Sequence, residues 1–171
     1  RQLRGTKISM IFQNPSAYLN PNRTVENHFK DLFRAHGESY EIARVIDMLK
    51  LVHLNDGERI LQSYPFQLSG GMQQRLAIAL SLILRPSIVF ADEPTSALDM
   101  LVQASVLDLM KEVTQALGAT VVIVTHNIKS AARIANSIGV MNKGQLVEVG
   151  STEEVMACPK DEYTRVLLDS V

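Results

Sequence analysis

The sequence predicts an α/β fold, a parallel sheet interrupted by a helical insertion. Three short apolar runs, Lys7-Ile8-Ser9-Met10-Ile11-Phe12, Ser87-Ile88-Val89-Phe90-Ala91 and Thr120-Val121-Val122-Ile123-Val124-Thr125, read as buried strands. Segments of helical period separate them, and strands that alternate with helices imply parallel pairing. The gap between the first and second strands is far longer than one crossover helix needs. The stretch from about Pro21 to Leu84 is therefore expected to be inserted.

Each element follows from local chemistry. Gln13-Asn14-Pro15-Ser16 and Asn20-Pro21-Asn22 punctuate the loop after the first strand. From Thr24 to about Val52 the period is helical, with Ile42, Val45, Ile46 and Leu49 on one face at i, i+3, i+4 and i+7. Asn55 to Pro65 is polar and rich in turn residues. Ser69 is a good N-cap for a helix running to Leu84. After the strand at Ser87–Ala91, a helix from about Leu101 to Leu117 stops at Gly118. A helix from Ile128 to Ala135 follows the third strand. Ser137–Met141 and Gln145–Val149 flank the turn Asn142-Lys143-Gly144 as a hairpin-like pair. The tail from Thr152 is helical and broken at Pro159, and there is no internal repeat.

Composition excludes several classes. A length of 171 residues suits one globular unit, and 46% hydrophobic with 20% charged residues excludes a disordered or collagen-like chain. Lys+Arg at 17 against Asp+Glu at 18 gives a net charge of −1, which argues against a general nucleic-acid binder. The single cysteine, Cys158, cannot form an intramolecular disulfide or a thiolate cluster for zinc, so the chain reads as cytosolic. Arg1-Gln2-Leu3-Arg4 is not a secretory signal, and without an initiator Met the chain is expected to be a piece of something longer. The most apolar run, Leu76 to Leu84, is shorter than the roughly 20 residues a bilayer requires, so any membrane link runs through a partner.

Two places carry chemistry. Asp92-Glu93 ends an apolar strand, where open α/β sheets bind ligands, and adjacent strand residues point different ways and can hold different tasks. Taken alone, a solvated acidic turn explains the pair equally well. Leu68-Ser69-Gly70-Gly71-Met72-Gln73-Gln74-Arg75 opens a helix with a hydroxyl and two residues lacking Cβ, which suits an anion. An ordinary N-cap with a loop glycine pair is the bland alternative.

Together these segments resemble the ATP-binding-cassette (ABC) ATPases. Leu68 to Arg75 is similar to their signature motif, Ile88-Val89-Phe90-Ala91-Asp92-Glu93-Pro94 to their Walker B strand, and Ser96-Ala97-Leu98-Asp99 to their D-loop. Gln13 resembles the Q-loop glutamine and His126 the switch histidine. Phe12-Gln13-Asn14-Pro15, Val102-Gln103-Ala104 after Asp99, and Tyr163-Thr164-Arg165 resemble the peptide and nickel importer branch. The departures are specific. No Gly-x-x-x-x-Gly-Lys-Ser/Thr motif occurs in the 171 residues, Asn127 follows His126 where Asp is usual, and Asp161-Glu162-Tyr163 replaces His-Pro-Tyr.

The resemblance implies a partial RecA-like P-loop NTPase core, residues 1–20 and 85–171, carrying an α-helical subdomain at 21–84. It implies ATP and Mg²⁺ as cofactors. Ser69, Gly70 and Gly71, with Gln73 in the same motif, would meet the γ-phosphate of ATP carried by a second ATPase subunit. Asp92 would hold Mg²⁺ through water, Glu93 would deprotonate the attacking water, and Gln13 would reach both. His126 would contact the γ-phosphate and Asp99 would shape the dimer contact. Transmembrane permease subunits would be the other partners, at the cytoplasmic face of the membrane. A non-catalytic interaction fragment and a nucleic-acid-handling ABC ATPase are the alternative readings. His28, His36 and His53 read as surface or helix residues.

Overall fold

The computed structural model describes residues 3–169; Arg1, Gln2, Ser170 and Val171, the outer ends of the Arg1–Arg4 segment and of the tail expected to be helical, lie outside the described residues. The chain forms two compact units, Arg1–Val124 and Thr125–Val171.

In the first unit the order is β1 (Ile8–Ile11), α1 (Val25–His36), α2 (Ile42–Leu51), α3 (Gly57–Gln62), α4 (Gly70–Leu82), β2 (Ile88–Asp92), α5 (Met100–Leu117) and β3 (Thr120–Val124). Single 3₁₀ turns occupy Pro15–Ala17 and Pro65–Gln67. The strands form a parallel sheet in the order β1-β2-β3, with Met10, Phe90 and Val122 abreast. Ile11, Val89 and Ala91 point into the core, where Leu76, Ile78, Ala79 and Leu82 of α4 and Val106, Leu109, Met110 and Val113 of α5 are also buried.

All three strands were expected to be buried, and that is corrected for one face of the sheet. Met10 is 43% exposed, Phe90 39% and Val122 41%, and Ile8, Phe12 and Val124 share the open condition. Burial follows the period of two along each strand, because α4 and α5 contact this sheet and cover only the alternate residues.

The helical stretch from Thr24 is two helices. Thr24 caps α1 by accepting the Asn27 N–H, Val25, Phe29 and Phe33 bury one stripe, and Gly37, in the left-handed region at φ 71°, stops it. In α2, Val45, Met48 and Leu49 are buried, but Ile42 is 53% exposed at the helix's first turn, outside the apolar face expected for it. Arg44 of α2 donates to the Ile83 carbonyl at 2.6 Å and to Glu38 at 2.7 Å, fastening α2 to the end of α4. The segment 55–65, read as turn-rich, contains α3, whose Ile60 and Leu61 are buried; six residues are too few to declare a period.

The second unit holds α6 (Ile128–Ile134), β4 (Ser137–Asn142), β5 (Gln145–Ser151), α7 (Thr152–Ala157) and α8 (Glu162–Asp169). β4 and β5 form the expected antiparallel hairpin, with Lys143 at φ 48° and Gly144 at φ 79° supplying the two left-handed residues of a primed turn. Its small core joins Ile128, Ile138, Val140 and Val155. Glu148, 9% exposed, accepts the backbone N–H groups of Lys160 at 2.9 Å and Asp161 at 3.1 Å, which ties the segment around Pro159 to β5. The buried Thr164 hydroxyl and then these two N–H groups hold its carboxyl below the usual carboxylate range.

Candidate functional site

The first unit gathers its chemistry at the C-terminal end of the parallel sheet. β1 and β2 end side by side, Ile11 opposite Ala91, so the Gln13 loop and the Asp92-Glu93 pair emerge at the same edge. Asp92 is the last residue of β2 and is exposed; Glu93, half-buried, begins the turn beyond it. The backbone of Glu93 lies in the left-handed region at φ 43°. Its N–H donates to the Val124 carbonyl at 2.8 Å, and its own carbonyl accepts the Ser96 N–H and hydroxyl, each at 3.2 Å. A non-glycine residue held there stores strain, a condition that clusters at functional sites.

Two helix N-termini flank this turn. Ser69 caps α4 by accepting the Met72 N–H at 3.3 Å, and Asp99 caps α5 by accepting the Val102 N–H at 3.0 Å. They lie close together. A Cβ added at Gly71 would come to 3.1 Å from Val102 Cγ1, tight enough that the Val102 side chain would have to give by a few tenths of an ångström. At Gly70 an added Cβ would meet only Leu98 at 3.7 Å, ordinary contact. Gly70 is exposed, so its missing side chain bares backbone to an incoming group. Gln73 turns inward, its amide donating to the Pro65 carbonyl at 2.9 Å and the Leu68 carbonyl at 3.2 Å, and thereby holds the segment entering α4.

Gln13 is exposed in the loop after β1. Asn14 Oδ1 accepts the Ser16 N–H at 3.1 Å and hydroxyl at 2.7 Å, and Pro15 and Leu19 are buried beneath. His126 belongs to the second unit, exposed just before α6. Asn127 caps that helix by accepting the Ser130 N–H at 2.9 Å, a task that its carbonyl performs as Asp would.

Sequence reasoning missed two supports. Gln103 donates to the Leu98 carbonyl at 2.8 Å and braces the turn before α5, and Ser81 of α4 donates to the Met10 carbonyl at 3.1 Å and braces β1. Gln103 carries a signal only within the Val102-Gln103-Ala104 resemblance, with no bracing role, and Ser81 has none beyond an ordinary polar residue on a helix. The histidines set aside as surface residues also differ. His53 sits at φ 59° and pairs with Glu112 at 3.7 Å, and His28 bridges two backbone groups.

The parallel sheet, with its acidic pair at the strand end and helices on one face, is the fold of a RecA-like ATPase core. It superposes on cbiO1 from Clostridium perfringens, described as part of the ABC transporter complex cbiONQ, with a TM-score of 0.76 and 28% identity over 90% of this chain and 60% of that one. The ABC transporter family model matches residues 1–96, and the chain belongs to that family. It is 43% identical to the dipeptide transport ATP-binding protein DppD of Caldanaerobacter subterraneus, over 100% of this chain and 53% of the relative. It is 40% identical to the oligopeptide transport ATP-binding protein OppD of Lactococcus lactis, over 98% of this chain and 51% of the relative. A third relative is the glutathione import ATP-binding protein GsiA of Salmonella typhimurium, 42% identical over 100% of this chain and 28% of its own length. The chain thus spans about half the length of the DppD and OppD relatives.

Proposed function

We propose that this chain is part of the ATP-hydrolysing subunit of an importer, energising uptake of peptides or a related small solute. The observation that carries the reading is Glu93: a carboxylate directly after the central strand, on a backbone held in the left-handed region by bonds to both sides. In this reading residues 1–20 and 85–171 belong to the ATPase core and 21–84 to the helical subdomain, and α1 to α4 support that division.

The residues present suit ATP with Mg²⁺. Among the described residues no cluster of three or more His, Cys, Asp or Glu could hold a metal alone. Asp92 would supply the carboxylate by which Mg²⁺ is held, with Gln13 reaching the ion from the neighbouring strand end, once substrate phosphates complete its shell. Bound there, the ion neutralises charge on the transferring phosphoryl group. Asp92 is the ligand at the strand end and Glu93 accepts the proton of the attacking water. Gln13, from the neighbouring strand end, orients that water. Ser69, Gly70 and Gly71 offer backbone N–H groups at a 13-residue helix N-terminus to a phosphate brought by a second ATPase subunit. Gln73 acts behind them by fixing Pro65 and Leu68. Asp99 orders the turn at the dimer contact, and His126 contacts the γ-phosphate.

No helix among the described residues is long and apolar enough to cross a membrane. Coupling to transport therefore runs through permease subunits at the cytoplasmic face. The test is Glu93→Gln in the full-length protein, which is expected to keep ATP binding and to lose about 10²–10⁴-fold in turnover. Steady-state hydrolysis near the wild-type rate would show that Glu93 is not the base.

A further inference from the structure

We propose that His28 is the positioning residue of the Gln13 loop, clamping the far end of that loop to the first turn of α1. The inference rests on the reading of Gln13 given above. The loop leaves β1, makes its 3₁₀ turn at Pro15–Ala17, buries Leu19 and ends at Asn20. There the Asn20 N–H donates to His28 Nε2 at 2.9 Å. A backbone N–H can only donate, so Nε2 carries the lone pair and the ring proton sits on Nδ1. Nδ1 lies 2.8 Å from the Thr24 carbonyl, which can only accept. One neutral tautomer satisfies both bonds at once.

Asn20 is itself a corner. Its side-chain oxygen accepts the Asn22 N–H at 3.0 Å and its carbonyl accepts the Arg23 N–H at 3.2 Å. The ring, eight positions along the chain from Asn20, therefore joins the loop's end to Thr24, the N-cap residue of α1. The helix does not depend on this bridge. It has the Thr24 cap, the buried stripe of Val25, Phe29 and Phe33, and the Gly37 stop. What the ring adds is an acceptor for the Asn20 N–H, a tie to the helix side chain beside the short-range Asn22 and Arg23 bonds and the buried Pro15 and Leu19. Without it the loop keeps its β1 end, its buried Leu19 and the bonds within the Asn20 turn, and loses the tie from Asn20 to the body of α1. Gln13 then samples positions away from the attacking water, which slows turnover more than it weakens nucleotide binding.

The test uses the full-length protein with Mg-ATP. His28→Ala is expected to lower kcat about tenfold, equivalent to about 1.4 kcal/mol of barrier, with KM for ATP within about twofold. His28→Gln, whose amide offers both an acceptor and a donor, restores kcat; His28→Phe, which fills the space without a lone pair, does not. Gln13→Ala combined with His28→Ala is no slower than Gln13→Ala alone, because His28 acts through Gln13. Hydrogen exchange over residues 13–20 accelerates about tenfold in the Ala and Phe variants, while α1 keeps its protection. Unchanged exchange in His28→Ala, rescue by Phe, or loss of protection in α1 would overturn the clamp. If the segment loosens while Gln13→Ala leaves turnover untouched, the clamp stands and the catalytic reading of Gln13 falls.

Discussion

Replacing Glu93 with glycine is expected to leave a more stable protein than replacing it with alanine, although both remove the proposed base. A residue with a Cβ in the left-handed region costs about 1–2 kcal/mol, and Glu93 sits there at φ 43°. Glycine adopts the same backbone freely but adds about 0.5–1 kcal/mol of unfolded-chain entropy relative to alanine. The expected net gain over alanine is about 0–1.5 kcal/mol. In a domain of this size 1 kcal/mol moves Tm by about 2–4 °C, so the rise is at most about 6 °C. The bonds from the Glu93 N–H to Val124 and from Ser96 to the Glu93 carbonyl use only the main chain of residue 93 and survive the change. Glu93→Ala is the control, because it loses the same carboxylate and keeps the strain. Calorimetric melting of the full-length protein without nucleotide compares the two. If Glu93→Ala melts at or above Glu93→Gly, the backbone at this turn is not strained and the argument from stored strain fails.

Two further outcomes test the rest of the molecule. Because the folded carboxyl of Glu148 titrates below its ordinary value of 4.5, its contribution is full above that pH and fades as pH falls through the lower folded value. Glu148→Gln should therefore depress Tm at pH 7 and converge on wild type in acid, and a constant difference across that range would refute the assignment. The row Met10, Phe90 and Val122 leaves the sheet face apolar and open in the 171-residue chain, which is expected to self-associate through it. Met10→Glu with Val122→Glu should return the chain to monomer in sedimentation, and an unchanged oligomer would place the contact elsewhere.

Legibility in the sequence followed the reach of each interaction. Strands and long helices could be placed because an apolar run or an i, i+3, i+4 stripe is a local signal, and Gly118 and Ser69 end or begin helices by their own chemistry. The half-open sheet was not legible, since Phe90 and Val89 are equally apolar and only packing by α4 and α5 tells them apart. α3 was lost because Ile60 and Leu61 are buried by distant residues rather than by a period of their own. The proposed site residues rest on motif order, whereas the contacts that brace them had no local signal. His28 matters through Asn20 and Thr24, and Gln73 through Pro65 and Leu68, and these pairings exist only once the chain turns back on itself.

The side chains that open the two helices also constrain how the site can act. Ser69 and Asp99 each spend an oxygen on the N–H of a residue three positions on, and Gly71 holds the two helix starts within van der Waals reach. A phosphate arriving at α4 meets the N–H groups that the Ser69 cap leaves over, together with the exposed backbone of Gly70. The Ser69 hydroxyl can donate its proton to that phosphate while its lone pair still accepts from Met72, so binding need not undo the cap. Asp99 has no such choice, because a carboxylate only accepts. It repels an anion that comes close, and its value lies in fixing the start of α5 against Gly71. The hydroxyl is therefore suited to the phosphate and the carboxylate to the scaffold beside it, which is how their roles are divided in the proposed site.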